Sequence, residues 1–451
     1  MRLLALLLCT VATLAVAADK PNVLFLFADD QRADAVGAFN PAVKTPTLDS
    51  LVERGFAFTN AHCLGGNIPA ICTPSRNMLL SGRAYFRWAP TPEALKATKD
   101  LAPADGPNFA VAFKNAGYQT YHHGKKGNTA LNIQATFEIN KYLKNDEAER
   151  TSGEPGKEIA DDAIAFLRDR TAARDARPFF MYLAFANPHD PRVAHDPYMA
   201  QYDEAKIPLP KNYLPQHPWN IGSNTVRDEL LAPFPRTPED IRKHLHDYYA
   251  VITCFDGYLG KILATVRELG LDKNTIVIFS ADHGLGMGSH GLMGKQNIYE
   301  TGMKAPLIFA GPGVPHGRSD AMCYLLDILP TAVDLAGAAS PKDIDGKSLR
   351  PVIEGRQPQV RDSLFLAYID SQRAVRDERW KLIVYPKIAK RELFDLVSDP
   401  DEMKNLADDP GQAPRIESLT AKLRGWQQHL GDTTPLKVEN PEPAEFIAPK
   451  K

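Results

Sequence analysis

The sequence predicts an α/β protein: a large, mostly parallel β-sheet sandwiched by helices, with a smaller C-terminal α+β subdomain containing an antiparallel sheet. Three observations carry the prediction. Over the first two thirds of the 451 residues, short apolar runs of strand length alternate with helical patterns. Four of these runs end in polar clusters, at 29–30, 124–125, 187–189 and 282–283, as strands do when their carboxyl ends line a cleft. From about residue 341 the pattern changes to paired strands and a late helix.

The elements follow in chain order. Residues 1–18, MRLLALLLCTVATLAVAA, place Arg2 before an apolar run that ends in Ala15-Val16-Ala17, the pattern of a cleavable secretory signal. Leu8 before Cys9 is too bulky for a lipoprotein site. NVLFLFA (22–28) is a buried-strand run that delivers Asp29 and Asp30. Thr45-Pro46 opens a helix as cap and first-turn proline, with Leu48, Leu51 and Val52 on one face and Gly55 at its end. GPNFAVAFKNAG (106–117) repeats the scheme and leads into YQTYHH and Gly124-Lys125. A helix around 157–170 precedes the strand PFFMYLAF (178–185), which runs to Asn187-Pro188-His189. The Pro-rich stretch 207–238 reads as a long surface insertion. A long helix from about 238 to 269 leads to TIVIFS (275–280) and Asp282-His283-Gly284. APLIFAGPG (305–313) and a helix near 322–337 complete a first, larger domain over residues 19–340. In the remaining unit, 341–451, RAVRDERWKLIVY (373–385) reads as a hairpin turning at Asp377-Glu378, and a helix covers about 413–429.

Composition narrows the function. With 44% hydrophobic and 24% charged residues and a formal net charge of -2, the chain has a large core and no basic excess for nucleic acid or an anionic membrane. No apolar stretch after the signal reads as long enough to span a bilayer. The four cysteines beyond Cys9 are too few for a disulfide framework. Cys254 and Cys323 lie in apolar helical patterns and read as core, and Cys63 is either paired or free. Cys72 is different: in AICTPSRNMLLSG it stands before Pro74, with Arg76 four residues on, where a helix begins. A disulfide partner, a buried thiol and a reactive nucleophile all fit that setting.

Asp29, Asp30 and Asp282, brought to neighbouring strand ends, would repel strongly in a desolvated cleft without a cation between them. Oxygen ligands suit calcium or magnesium, and His283 keeps manganese or zinc open. Taken alone, Asp29-Asp30 equally suits a solvated loop, and a histidine after Asn-Pro is ordinarily a loop residue.

The segment CTPSRNMLLSG resembles the CxPxR signature of type I sulfatases, in the alkaline phosphatase-like superfamily. DDQRAD, GYQTYHHGKK, ANPHDP, ADHGLGMGSHGLMGK and the tail RWKLIVY…ELFDLVSDPDEMKNLA resemble further family segments in family order, and the Asp282-His283 and Pro188-His189 elements are most similar to the iduronate-2-sulfatase branch. The resemblance implies a secreted or periplasmic hydrolase of sulfate esters. Its Cys72 is converted to formylglycine by a dedicated maturation enzyme. One hydroxyl of the hydrated aldehyde attacks sulfur, and the other later loses its proton to expel sulfate. It implies one divalent cation, calcium first with magnesium or manganese as alternatives, held by Asp29, Asp30, Asp282, His283 and the residue derived from Cys72. Lys125 and Lys295 match the lysines that grip sulfate and leaving oxygens. His189 matches the proton donor to the leaving alcohol, and Arg76 the group that holds the hydrate. The implied substrate is a sulfated polysaccharide or oligosaccharide; nothing in the sequence gives an oligomeric state.

One departure stands out. Family members carry a histidine two or three residues beyond the lysine matching Lys125, where this chain has Gly127 and Asn128. His122, His123, His290 or water are the candidates to replace it, and strand alternation lets at most one of His122 and His123 face the cleft. Ser81, where the family more often has Thr, is a mild variation. Arg32 is either a substrate-carboxylate or sulfate ligand or a surface arginine. Two alternatives remain open: a phosphomonoesterase or phosphonate hydrolase of the same superfamily, and a non-catalytic homologue that binds sulfated glycans.

Overall fold

The computed structural model describes residues 20–449, so the expected signal segment 1–18 lies outside the described residues. The main sheet contains β1 (Asn22–Ala28), β2 (Phe56–Phe58), β3 (Gln119–Gly124), β4 (Ile139–Tyr142), β5 (Phe179–Ala184), β6 (Thr275–Ala281), β7 (Leu307–Ala310) and β8 (Gly317–Ser319). Their spatial order is β8-β2-β7-β6-β1-β5-β3-β4. Only β7 runs antiparallel to its neighbours. The central strands β1, β5 and β6 are buried along their whole length, which explains their unbroken apolar runs.

Side-chain alternation divides the sheet into two covered faces. On one, Phe109 stacks on Phe180 at 5.1 Å and the Arg76 guanidinium lies 5.0 Å over Phe27. The helices Cys72–Ser81 and Phe109–Asn115 therefore cover this face. On the other, Tyr121 meets Phe166 at 4.4 Å, and helix Lys157–Ala172 packs there beside Pro238–Glu268. The register does the rest. Ala28 pairs with Ala281 and Phe27 with Ala184, so Asp29, Asp282 and the segment after β5 leave the sheet at one height.

The C-terminal sheet contains β9 (Leu364–Tyr368), β10 (Gln372–Arg376), β11 (Trp380–Tyr385) and β12 (Lys390–Asp395), antiparallel in the order β12-β11-β10-β9. The hairpin turns as expected, with Trp380 N–H donating to Asp377 Oδ1 at 2.8 Å. A two-residue strand from the first part of the chain, Gly65–Gly66, pairs parallel to β9. Gly65 has φ 110°, and a Cβ there would lie 1.9 Å from the Ala367 carbonyl, so this crossing requires glycine.

Several expectations change. Thr45 does not cap its helix; Pro46 does begin it, but the free N–H groups of Thr47 and Leu48 donate to Asp256 from the long helix, each at 2.9 Å. The helix expected from 322 begins at Ile328, because Cys323–Tyr324 pairs with Ala61–His62 and Asp327 accepts the Tyr324 N–H. Cys323 is thus a strand residue, although all four cysteines of the described chain are free and buried. The segment 207–238 is not a surface excursion: Asn212, His217, Ile221, Asp228, Glu229 and Arg236 are all buried. Pro238–Glu268 is, by length and composition, apolar enough to cross a membrane, but 78% of its most apolar window is buried inside the protein. It is the core helix that closes one face of the sheet.

Candidate active site

Four strand ends converge. Asp29 and Asp30 continue β1, and Asp30 adopts the left-handed φ of 68°, a conformation that aspartate tolerates better than most residues. The Asp30 N–H donates to Asp282 Oδ1 at 3.0 Å, which locks the β1 and β6 ends together. Asp29 N–H donates to the Asn187 carbonyl beyond β5 at 2.9 Å. All three aspartates are buried.

Cys72 is the first residue of its helix and is wholly buried. Its Sγ lies 3.3 Å from His283 Nε2, 3.2 Å from Lys295 Nζ and 3.9 Å from Asp30 Oδ1. Asp30, Cys72 and His283 form one set of possible metal ligands, and Asp29, Cys72 and Asp282 another. One turn on, Arg76 donates from Nε to Asp282 Oδ2 at 3.1 Å and places Nη2 3.3 Å from Asp29 Oδ1. Ser75 adds a 2.7 Å hydrogen bond to the Asp282 carbonyl. The helix is therefore pinned to both strand ends through its first two turns.

Two lysines pair with the adjacent aspartates. Lys125, following β3, pairs with Asp29, and Lys295 donates to Asp30 Oδ1 at 2.8 Å. Burial alone would raise the pKa of Asp29, but Lys125 and Arg76 hold it well below the usual carboxylate range. Burial acts the same way on Asp30, and Lys295 and His189 outweigh it. Burial also opposes the charge of Lys295, yet Asp30 raises that ammonium well above its ordinary pKa. The Cys72 thiol is pushed up by burial, with Asp29 and Asp282 adding to the effect. His189 holds its ring by a 2.6 Å contact from Nδ1 to the Asp190 carbonyl, with Nε2 3.8 Å from Asp30 Oδ2. At 13% exposure its side chain is more open than either lysine.

The structure thus brings together Asp29, Asp30, Cys72, Arg76, Lys125, His189, Asp282, His283 and Lys295. It does not bring the candidate replacements for the missing histidine. His122 faces the Arg76 side of the sheet but is stacked on Tyr182 and bonded to Asn140 at 2.7 Å; burial pushes its pKa down to about 3. His123 faces the opposite side and lies 3.0 Å from Asp162. His290 stacks on Tyr299 at 3.8 Å beneath the C-terminal sheet. Arg32 is no substrate ligand: its guanidinium is spent on Asp34 and on the Leu285 and Gly286 carbonyls. Three charged residues in the neighbourhood went unseen in the sequence. Asp190 adjoins His189, Asp228 Oδ2 lies 3.8 Å from Lys295 Nζ, and Arg227 pairs with both carboxylates. Asp190 was within the quoted ANPHDP; Arg227 and Asp228 had no signal beyond their place in the proline-rich stretch.

Comparison with known proteins agrees with this geometry. The family model described as Sulfatase matches residues 21–338, and that described as N-sulphoglucosamine sulphohydrolase, C-terminal, matches residues 288–429. An ulvan-active sulfatase from Formosa agariphila is 26% identical over 475 residues, covering 96% of this chain and 84% of its own. A solved structure in complex with D-glucosamine-2-N,6-O-disulfate has a TM-score of 0.75 at 22% identity, covering 93% of this chain and 100% of that one. A phosphonate monoester hydrolase of Agrobacterium radiobacter also reaches 0.75 at 22% identity, covering 96% of this chain and 100% of that one. These matches give the family without specifying its branch. With a family model spanning well over half its length, the chain belongs to the sulfatase family and is a sulfuric ester hydrolase.

Proposed function

We propose that the protein is an exported sulfatase that removes sulfate from a sulfated polysaccharide or oligosaccharide, with the residue derived from Cys72 as nucleophile. The observation that carries this reading is the convergence on Cys72: a helix-initial side chain 3.2 Å from one lysine and framed by three buried aspartates. The printed substrates of the relatives, ulvan and glucosamine disulfate, support a sulfated sugar.

The cluster fits a divalent cation. Asp29 Oδ1 is buried and makes no hydrogen bond, only a 3.3 Å ion pair with Arg76 Nη2, and the donors are hard oxygens plus one imidazole. Asp29, Asp30, Asp282, His283 and the converted residue 72 would hold it, calcium first. When bound, the cation lowers the pKa of the attacking oxygen and polarises the sulfate. The charges also balance. Three aspartates face Arg76, Lys125 and Lys295, so the site is near neutral before a dication enters. Two added positive charges then match a sulfate monoester and an ionised nucleophile.

The chain's own groups have separate tasks. Arg76 spans Asp29 and Asp282 and fixes the nucleophile helix. Lys125 and Lys295 offset charge on the sulfate oxygens. His189 presents Nε2 on the open side, where the leaving alcohol departs. Conversion of Cys72 by a maturation enzyme supplies a hydrated aldehyde in place of a thiol, whose sulfated adduct has no easy exit.

Mass spectrometry of the peptide spanning residues 70–83, paired with turnover of defined sulfated saccharides, tests the reading. Sulfur is lost at Cys72 and retained at Cys254 and Cys323 if it holds. An intact thiol in fully active enzyme refutes it. The phosphonate hydrolase neighbour makes a phosphonate ester the proper competitor substrate, and a clear phosphonate preference would reassign the reaction.

A further inference from the structure

The proline-rich segment contributes a charge clasp to the open side of the site. Arg227, at the start of the short turn Arg227–Leu231, pairs through Nη2 with Asp190 and donates from Nη1 to Asp228 Oδ1 at 2.7 Å. Each carboxylate stands behind one member of the cluster. Asp190 offers its carbonyl to His189 Nδ1 at 2.6 Å and its Oδ1 at 3.5 Å. Asp228 lies 3.8 Å from Lys295 Nζ and is steadied by Gln296 Nε2 at 2.8 Å. Arg227 is 59% exposed, while Asp190 and Asp228 are at 9% and 7%. One solvent-facing guanidinium thus joins the supports of two site residues that come from different strand ends.

We infer that Arg227 is a positioning residue that fixes His189 and Lys295 relative to each other through Asp190 and Asp228, and that this clasp serves a leaving group too basic to depart as an anion. The inference rests on the function proposed above. As an oxygen of the converted residue 72 bonds to sulfur, the S–O ester bond breaks and its electron pair goes to the ester oxygen. That oxygen takes the Nε2 proton of His189 in its imidazolium form, leaving a neutral imidazole with Nδ1–H still on the Asp190 carbonyl, and departs as a neutral alcohol. Lys295 steadies the same oxygen. A sugar hydroxyl requires that proton; a nitrophenolate leaves without it. Misplacing the two groups by a fraction of an ångström is therefore costly for sugar sulfates and nearly silent for activated aryl sulfates.

The experiment compares kcat/KM of wild type, Arg227→Ala, Arg227→Lys and Asp228→Asn on aryl sulfates of graded leaving-group pKa and on a sugar sulfate. Arg227→Ala is expected to lose roughly 30- to 100-fold on the sugar sulfate, at least about tenfold more than on 4-nitrophenyl sulfate, so the dependence on leaving-group pKa steepens. Arg227→Lys recovers part of the loss, and the isosteric Asp228→Asn steepens the slope even if Arg227→Ala fails to fold. A loss of equal size across all leaving groups, with the slope unchanged, overturns the clasp. Wild-type enzyme inactive on every sulfate ester overturns the functional reading and the clasp with it.

Discussion

The molecule buries two clusters of ion pairs about one loop apart. The first is the site around Cys72. The second lies beneath the C-terminal sheet, where Glu300 accepts from Arg376 at 2.7 Å, Lys381 at 3.0 Å and His62 at 3.2 Å, and pairs with Lys304 at 2.9 Å. Glu402 completes it, pairing with Lys381 at 2.7 Å and accepting the Glu300 N–H at 2.7 Å. Burial, charge and perturbed titration are common to both: burial would raise Glu300, and Arg376, Lys304 and Lys381 hold it well below the usual range. What separates them is the mix of groups. The Glu300 cluster sets two carboxylates among Arg376, Lys304 and Lys381, whereas the first gathers Asp29, Asp30, Asp282, Cys72 and His283 into two sets whose ligand atoms lie within 4.8 Å of one another. A cation-rich cluster joins two parts of a fold; a ligand-rich one has capacity for a metal.

Removing the nucleophile gives the largest expected difference. Cys72→Ala should lower turnover by about 10⁴-fold or more while leaving thermal unfolding nearly unchanged. Glu300→Gln should do the reverse, costing about 3–5 kcal/mol because it strands buried cations, with turnover per folded molecule far less affected. Scanning calorimetry beside steady-state kinetics on both variants checks the pair. If Glu300→Gln abolished catalysis without lowering the unfolding midpoint, the distinction between the clusters would collapse.

Next is the cation. Chelation should stop hydrolysis and destabilise the protein by about 2.7 kcal/mol relative to enzyme holding the ion at a hundred times its Kd. Re-addition of calcium should restore both, and magnesium or manganese less completely. The same treatment of Cys72→Ala tests whether the aspartates alone retain the ion. A midpoint that ignores the chelator would mean that Lys125, Lys295 and Arg76 suffice to neutralise the aspartates.

The two clusters also differ in how far the sequence announces them. Asp29-Asp30 and Asp282-His283 directly follow fully buried strands, whose continuous apolar runs mark the strand end and so the cleft. Glu300, Arg376, Lys381 and Glu402 are buried charges scattered through the sequence, with no polar cluster at a strand end to mark them, and only tertiary pairing makes them a unit. Arg227 and Asp228 are hidden for the same reason: a short charged run in a proline-rich stretch has no period to read. The false start of the helix at 322 shows the limit of apolarity itself, since a two-residue strand pairing and the Asp327 cap override a helical pattern there.

The smallest expected effect is a pH dependence confined to the second region. Glu392 on β12 accepts from the Tyr299 hydroxyl at 2.6 Å and the Tyr385 hydroxyl at 2.9 Å, and burial raises its pKa from 4.5 to about 7. It lines a cavity of about 320 Å³ with His290 and Tyr299, which gives its proton a route to water. Between pH 4.5 and about 7 the folded state therefore binds more protons at this position than the unfolded chain does. Stability from this group is full below the unfolded pKa and falls as pH rises through the folded one, by about 2.5 kcal/mol between pH 5 and 8. Glu392→Gln keeps the phenol hydrogen bonds but removes the titration, so its unfolding free energy should decline less than wild type between pH 5 and 8. Turnover in that interval should follow the same profile in both proteins, because Glu392 touches none of the residues around Cys72. Identical stability profiles would show that the carboxyl is already ionised at pH 5, and that burial beneath the two phenols does not hold its proton.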